Sequence, residues 1–236
     1  MSQDGSIKRK SKGKLNAQKI EEEFLKKASP SGIVATYIYN KPNDRGGVET
    51  VAEFLDAHSL HEFLFVRLKK ANGILQKWID PKEESNNVIH ASWAPKMCLL
   101  TRCTNKKKLC ETRCDVYERA STFEGPEFYC TRQPIKGQVL PRKVNQVADA
   151  VVTHFAAVSH DKMKVSRMAM YFKVDSKDRL WLLYTSSLRL EDEFQKASAF
   201  ESVPPAIPGY NNTPLEVNMR MKLPDFVRFA TTNSVS

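Results

Sequence analysis

Residues 168–190, with the sequence MAMYFKVDSKDRLWLLYTSSLRL, decide the fold of this chain of 236 residues. Two runs rich in β-branched and aromatic residues flank the polar tetrad of residues 175–178, DSKD. This pattern predicts a β-hairpin. The two aspartates of the tetrad are interpreted as turn-capping residues in solvent, and not as a catalytic carboxylate pair, because Lys177 and Arg179 stand beside them.

An amphipathic helix is predicted before the hairpin, over residues 142–158. Apolar residues recur there at positions i, i+3, i+4, i+7, i+8 and i+11, a spacing that places them on one helical face. Pro141 suits the first turn of a helix. The helix is therefore expected to bury this face against the sheet that contains the hairpin. The apolar residues are Val144, Val147, Ala148, Val151, Val152 and Phe155.

The other elements are predicted from the same kinds of pattern. Asn72 and Gly73 together are a strong signal for a hairpin turn. Helices are predicted over residues 16–28 and 49–58. Strands are predicted over residues 32–40, 62–70, 74–79, 88–93 with its continuation at 97–103, and 114–122. Together these elements predict an α+β fold: a mostly antiparallel sheet of about six or seven strands with helices packed on one face, plus extended N- and C-terminal tails.

Composition divides the chain into three parts. Residues 1–14 are interpreted as a disordered basic arm, and residues 15–190 as a single α+β domain. Residues 191–236 are interpreted as an extended tail, since five prolines interrupt them. Apolar residues of the tail are expected to dock on a partner, or to add a strand to a sheet edge. The predicted docking residues are Leu215, Val217, Met219 and Phe226.

The chain carries a net charge of +10. Residues 1–14 contain five bases and one acid, whereas residues 191–236 contain four bases and six acids, so the folded part is basic as well. A basic surface favours a polyanionic partner such as nucleic acid, an anionic membrane or the acidic surface of tubulin. The predicted microtubule- or polyanion-binding residues are Lys8, Arg9, Lys10, Lys12 and Lys14 in the arm, and Lys106, Lys107 and Lys108 in a predicted basic turn.

Motifs that carry catalytic chemistry are not found. The sequence has no glycine-rich phosphate loop, no Gly-x-Ser-x-Gly and no His-Glu-x-x-His. No catalytic residue, cofactor, metal ligand or small-molecule substrate is therefore predicted, and the protein is expected not to be an enzyme. The sequence also lacks an apolar run of about 18 residues and a secretory signal. No membrane partner is predicted, and a cytoplasmic location is expected.

Two groups of residues leave an alternative open. Cys103, Cys110 and Cys114 cluster, which is compatible with zinc, but they contain no Cys-x2-Cys pair. Reduced thiols in a β-hairpin are the preferred interpretation. Three tryptophans fall in predicted strands, where core packing is preferred over stacking on nucleic-acid bases. These are Trp78, Trp93 and Trp181.

Three stretches resemble a family of proteins from flagellated and ciliated eukaryotes. They are residues 73–81, GILQKWIDP, residues 88–100, VIHASWAPKMCLL, and residues 172–183, FKVDSKDRLWLL. The resemblance implies a cilium-associated, non-enzymatic part of the axoneme. It carries over no functional residues, because the shared motif is structural.

These observations lead to one functional prediction and one alternative. The chain is predicted to be a non-enzymatic structural component of the flagellar or ciliary axoneme that docks on microtubules or on neighbouring axonemal proteins. It would then belong to the cytoskeleton. The alternative is an RNA-binding or ribonucleoprotein subunit, which the basic charge and the strand tryptophans would also fit. The net-negative tail favours protein neighbours, since tails that reach phosphate tend to be basic.

Overall fold

The computed structural model describes residues 16–27, 29–42, 48–68, 72–160 and 163–192. Within these residues the predicted α+β fold is confirmed. The helices are α1 (Ala17–Leu25), α2 (Ala57–Phe65), α3 (Val116–Ala120), α4 (Val139–Ser159) and a short 3-10 helix (Glu127–Tyr129). The strands are β1 (Ala35–Pro42), β2 (Val48–Leu55), β3 (Gly73–Lys77), β4 (Ser85–Ala94), β5 (Met97–Lys108), β6 (Cys130–Pro134), β7 (Met163–Val174) and β8 (Leu180–Asp192).

Two of the predicted site groups lie outside the described residues. They are the basic residues of the arm and the docking residues of the tail, and both remain predictions. The groups are Lys8, Arg9, Lys10, Lys12 and Lys14, and Leu215, Val217, Met219 and Phe226.

The strands form two antiparallel sheets, where a single sheet of six or seven strands was predicted. The small sheet has the order β2-β1-β3, and the large sheet has the order β6-β5-β4-β7-β8. The helix α2, with α1 beside it, packs on one face of the small sheet, and α4 packs on one face of the large sheet. Residues from both sheets line a common cavity, so their remaining faces meet over part of their area. The layers therefore run α/β/β/α.

The face of the large sheet beneath α4 forms the main core. Val144 and Ala148 of α4 are fully buried there. The predicted helix is confirmed, although it begins at Val139, before Pro141. It ends at Ser159 and is capped by His160, whose left-handed φ of 52° is typical of a helix C-terminus. The predicted hairpin is also confirmed, as β7 and β8. Strand residues of this core are Ile89, Ala91, Trp93, Leu100, Val165, Met168, Met170 and Phe172.

The hairpin turn is held by Asp175, which is buried and not, as predicted, in solvent. Its carboxylate accepts hydrogen bonds from the backbone N–H groups of Lys177 and Arg179 and from the indole of Trp181, at 2.9 Å each. It also accepts one from Arg179 Nε at 2.7 Å. Asp178 is exposed, with a left-handed φ of 57°. The turn-capping interpretation is confirmed for Asp175, whose burial follows from the indole and guanidinium packed around it.

The order of helix and strand around Asp56 is the reverse of the prediction. Residues 49–58, predicted as a helix, are mostly strand β2, and residues 62–70, predicted as a strand, begin inside α2. Asp56 caps α2 by accepting a backbone N–H at 2.8 Å. Leu60 and Phe63, three residues apart, are buried on one face of α2 against the small sheet. The cap and this spacing together make residues 57–65 helical.

Among the described residues, β3 forms no hairpin with residues 62–68, of which the first four belong to α2. It pairs with β1 in antiparallel register, with Ile74 opposite Ile38. At Gly73 an added Cβ atom would lie 2.6 Å from the carbonyl oxygen of Ile38 and 2.6 Å from the ring of Tyr37. Gly73 is therefore needed for the close approach of β3 to β1, and not for a hairpin turn.

Two further corrections concern the middle of the chain. The strands β4 and β5 form a hairpin around Pro95 and Lys96, where one continued strand was predicted. Residues 114–122, predicted as a strand, form α3 and the turns beside it. Asp115 caps α3 by accepting the backbone N–H of Tyr117 at 2.7 Å. As at α2, a side-chain cap overrides a local β pattern.

The three tryptophans have different environments. Trp78 and Trp93 are buried, so core packing is confirmed for both, although Trp78 follows β3. Trp181 in β8 is 39% exposed, so the core interpretation is wrong for this residue. The guanidinium of Arg179 lies 5.1 Å from its ring centre. Trp181 therefore stabilises the hairpin turn from the outside.

Candidate docking surface

The three lysines predicted to form a basic turn are instead the last residues of β5. Lys107 forms an ion pair with Glu118 at 2.5 Å, and Lys108 forms one with Glu84 at 2.6 Å. Lys106 donates to a backbone carbonyl at 2.9 Å. Hydrogen bonding to the two carboxylates raises the pKa of both paired lysines. Two of the three cations are compensated within the domain, so this strand end is a weaker polyanion site than the sequence indicated.

The clustered cysteines do not converge on a metal site. Cys103 is buried in β5, whereas Cys110 and Cys114 lie in the turns after β5 and not in a hairpin. The sulfur of Cys114 lies 3.1 Å from the ammonium of Lys107. Across the part of the chain that the structure describes, no group of three His, Cys, Asp or Glu side chains could hold a metal ion. All five cysteines are free thiols.

The face of the large sheet opposite α4 is covered by the small sheet at one end. Met168 and Leu188 belong to the core beneath α4. Because successive strand residues point to opposite faces, Arg167 and Arg189 lie on the face away from α4. No described residue covers this end of the sheet, and its side chains are largely exposed. We name it the open face, which consists of Ser92, Lys96, Met97, Leu99, Arg167, Ala169, Ser187 and Arg189.

Arg167 and Arg189 are the main charged feature of the open face. They stand directly opposite each other in the β7–β8 register. Both are exposed, and neither forms an ion pair with a described residue. Like charges placed opposite each other on neighbouring strands repel. Carboxylates from a partner would relieve this repulsion, and the planar guanidinium binds a carboxylate through two parallel hydrogen bonds.

Small side chains make the rest of the open face flat. Leu99 of β5 pairs with Ser92 of β4, Ser92 pairs with Ala169 of β7, and Ala169 pairs with Ser187 of β8. Three of the four strands thus present a side chain no larger than serine. Leu99 is 58% exposed and its neighbour Met97 is 56% exposed, which adds apolar contact area at the β5 side. A partner can therefore approach this sheet closely and bury apolar atoms beside the two arginines.

A row of aromatic rings separates the open face from the covered end. The rings of Tyr171 and Tyr184 stack at 4.4 Å, and the His90 ring lies 4.9 Å from Tyr171. Phe123 packs against His90 and Tyr171, and the guanidinium of Arg132 lies 5.5 Å from the Phe123 ring centre. Burial raises the pKa of Tyr171 and lowers the pKa of His90. The row is therefore uncharged at neutral pH.

The strand β8 also offers a backbone edge, since it is the outermost strand of the large sheet. Within the described residues, no strand pairs with its outer side. The side-chain amide of Gln76 donates to the carbonyl of Leu183, so that point of the edge is occupied. The remaining edge beside the open face is open to strand addition by a partner.

Sequence analysis did not find the open face, because its cations are far apart in the chain and form no run. The available signal was alternation: Arg167 precedes Met168, and Arg189 lies between Leu188 and Leu190. This pattern places both arginines on the polar side of the predicted hairpin, but it does not bring them opposite each other.

Comparison of the chain with protein-family models, with curated proteins and with solved structures gives no match. Among the helices that the structure describes, none is long and apolar enough to span a membrane.

Proposed function

We propose that this chain is a non-enzymatic structural component of the flagellar or ciliary axoneme and that its open face docks on the acidic surface of a microtubule. The single observation that carries the proposal is the uncompensated pair Arg167 and Arg189 on a flat, exposed sheet face. The resemblance to proteins of ciliated eukaryotes supports the axonemal setting. Its three stretches fall mostly in β3, β4, β5 and the β7–β8 hairpin, which include the strands of the open face.

The physical basis of docking is charge complementarity. The chain has a net charge of +10, and the cations at the end of β5 are largely compensated internally. Arg167 and Arg189 are, by contrast, exposed and form no ion pair with a described residue. An acidic partner surface would accelerate encounter and fix orientation, and added salt would weaken both effects.

The arm and the tail have separate parts in this proposal. The basic arm, residues 1–14, would add salt-sensitive attraction to the same acidic surface. The tail, residues 191–236, is net negative and carries spaced apolar residues, so it would contact neighbouring axonemal proteins and not tubulin. Tagged protein should accordingly remain in detergent-washed axonemes, and a chain lacking the tail should be incorporated less.

The decisive experiment is microtubule co-sedimentation with the double variant Arg167→Glu/Arg189→Glu. We expect its apparent affinity to fall by about tenfold or more, because both contacts become repulsive. The matched control is Arg142→Glu/Lys177→Glu, which makes the same change in net charge at two exposed cations, one on α4 at the opposite face of the large sheet and one at the hairpin tip. The control should retain most of the binding.

Two results would count against the proposal. Equal weakening by both double variants would show that net charge alone attracts the microtubule and that the open face is not the contact. Unchanged pelleting of both variants would show that the described domain does not contact the microtubule. Thermal unfolding of each variant establishes that the domain is intact in the comparison.

The RNA-binding alternative is favoured by one observation, the aromatic row beside the open face. Stacked aromatic side chains next to arginines are the kind of surface that binds single-stranded nucleic acid. The residues concerned are Tyr171, Tyr184 and His90. If Tyr184→Ala weakens binding of a fluorescent single-stranded RNA while microtubule pelleting is absent, the alternative replaces the axonemal proposal.

A further inference from the structure

The two sheets enclose a cavity of about 40 Å³, separate from the open face. Thr36 and Phe54 line it from the small sheet, and Asn86, Lys173 and Tyr184 line it from the large sheet. A buried water needs about 10–15 Å³ of such space, so the cavity has room for about three non-hydrogen atoms. Tyr184 is partly exposed, which brings the cavity to the edge of the sheet interface.

Lys173 is an unusual residue in this position, because its side chain is only 2% exposed. Its Nζ donates to the carbonyl of Ile79 at 3.0 Å and lies 3.7 Å from the ring centre of Trp78. The indole N–H of Trp78 in turn donates to Asp80 at 3.0 Å. These contacts hold the amine in place from the small-sheet side. Burial lowers the pKa of Lys173 to about 7, against the opposing effect of nearby carboxylates.

The same cavity contains acceptors that lack donors. Asn86 is 2% exposed, and its Nδ2 donates to the carbonyl of Ala120. Its Oδ1 has no hydrogen-bond partner among the described residues, which is costly for a buried polar atom. The carboxyl group of Glu124, whose pKa burial raises, accepts from the backbone N–H and the hydroxyl of Thr122, at 3.0 Å each, and retains further acceptor capacity. The cavity therefore has acceptor atoms that can take a further N–H donor.

We propose that Lys173 is a modification site, a nucleophilic amine that reacts in this cavity with small neutral carbonyl electrophiles of the isocyanic acid type. The amine lone pair forms a C–N bond to the carbonyl carbon. The C=N double bond of the electrophile becomes a single bond, and one amine proton moves to its nitrogen. Nothing is released, oxidised or reduced, and the product is a neutral urea on Nζ.

The product suits the cavity better than the ammonium does. Its three added non-hydrogen atoms match the available space, and its terminal NH₂ supplies two donors. One donor can satisfy the unpaired Oδ1 of Asn86, and the other can reach the carboxyl group of Glu124. The modification also removes a charge from the interface between the sheets, where a charge is expensive to bury.

Potassium cyanate is the probe for this proposal. The folded full-length chain is incubated with it at pH 7.4, and carbamoylation of each lysine-containing peptide is followed by mass spectrometry. An amine with a pKa near 7 is about 70% neutral at this pH, whereas an ordinary lysine is only about 0.1% neutral. We expect the initial rate at Lys173 to exceed the rates at the exposed lysines Lys96, Lys136 and Lys177 by at least about tenfold.

The pH profile and two controls complete the test. The rate at Lys173, divided at each pH by the concentration of neutral isocyanic acid, should reach half its maximum near pH 7, while the exposed lysines' rates, divided in the same way, should still rise at pH 9. In denaturant the carbamoylation rate at Lys173 should fall to that of the exposed lysines. In the folded protein, Asn86→Ala should reduce the rate at Lys173 severalfold without changing the rate at Lys177. A Lys173 rate no higher than that of the exposed lysines, or an advantage that survives unfolding, would overturn the proposal.

Discussion

Lys173 and Arg167 lie on the same strand, β7, and on the same side of the large sheet, yet their environments are opposite. Lys173 is 2% exposed beneath the small sheet, while Arg167 is exposed and forms no ion pair with a described residue. Burial drives Lys173 towards its neutral form, whereas Arg167 keeps its charge in solvent. The comparison shows that the layer packed on one part of a strand decides whether a cation there is buried or left in solvent.

The largest expected effect contrasts the core face of the large sheet with its open face. Phe172 is fully buried beneath α4, so Phe172→Ala should lower the free energy of unfolding by about 3–5 kcal/mol. Leu99 is 58% exposed on the open face, so Leu99→Ala should change it by less than about 0.5 kcal/mol. Denaturant unfolding of both variants measures the contrast. A large loss for Leu99→Ala would show that the open face is covered in solution.

The second prediction concerns the pH dependence that Lys173 confers. Its pKa is about 7 in the folded protein and about 10.5 in the unfolded chain, so between these values the unfolded state binds more protons. Stability should therefore rise as the pH increases from about 7 to 10.5, by up to about 1.4 kcal/mol per pH unit, and this contribution should be flat below pH 7.

Lys173→Met provides the matched test of that prediction. It should remove the slope and stabilise the domain at pH 7 by about 1–4 kcal/mol, because an apolar side chain replaces a buried charge. The control Lys177→Met, at the exposed hairpin tip, should leave the slope intact. Urea unfolding at several pH values measures both variants, and a wild-type curve without slope above pH 7 would contradict the burial of a charge.

The third prediction compares the two aspartates of the hairpin turn. Burial raises the pKa of Asp175, but hydrogen bonds from Trp181, Arg179 and Lys177 outweigh it and lower that pKa to about 2. Asp175→Asn should cost about 1–3 kcal/mol, because buried donors lose a charged acceptor. Asp178→Asn should cost less than about 0.5 kcal/mol, since asparagine tolerates the left-handed backbone and the side chain is exposed.

The pH dependence of the same carboxylate has the same sign as that of Lys173, because both folded pKa values are lowered, but it falls in the acidic range. The folded pKa of Asp175 is depressed, so its stabilising contribution is present above about pH 4 and is lost as the pH falls towards 2. The free energies of unfolding of the wild type and of Asp175→Asn should therefore become equal at low pH, as measured by acid unfolding. Parallel curves down to pH 2 would mean that the carboxylate is not held by these donors.

The smallest expected effect concerns the arginine pair. Arg167→Glu alone should raise the free energy of unfolding by about 0.2–1 kcal/mol, because a repulsive cross-strand pair becomes attractive. Its microtubule binding should nevertheless decrease. Differential scanning calorimetry resolves the change, with Lys136→Glu as the control for net charge. Destabilisation by more than 1 kcal/mol would show that Arg167 has an acidic partner in the folded protein, and the open face would then lack its free charge.

The parts of the fold that the sequence predicted are those with long, regular periodicity. The apolar spacing of α4 and the two β-rich runs of the hairpin extend over many residues, so they outweigh local ambiguity. The order of helix and strand was predicted wrongly only over residues 49–70, because residues 49–65 contain apolar residues compatible with either period. There, a single capping side chain, Asp56, decides where the helix begins.

The open face could not be predicted because it depends on strand register. Two bulges lie between the turn and Arg167, at Tyr171/Phe172 and at Ala169/Met170. They shift the pairing so that Arg167 faces Arg189, whereas an unbroken hairpin would place it opposite Ser187. Bulges have little effect on composition or periodicity, so the pairing of the two arginines cannot be predicted from the sequence.

The sequence by itself determined the α+β class, the amphipathic α4, the β7–β8 hairpin and the basic net charge, because each of these depends on residues that are close in the chain. Only the tertiary structure decided that the strands divide into two sheets and that Lys107 and Lys108 are paired with Glu118 and Glu84. It also decided that Lys173 is enclosed between the sheets while Arg167 is left outside. The physical reason is that burial and charge compensation depend on which distant segments pack together, and this packing sets the pKa and the availability of every cation on the molecule.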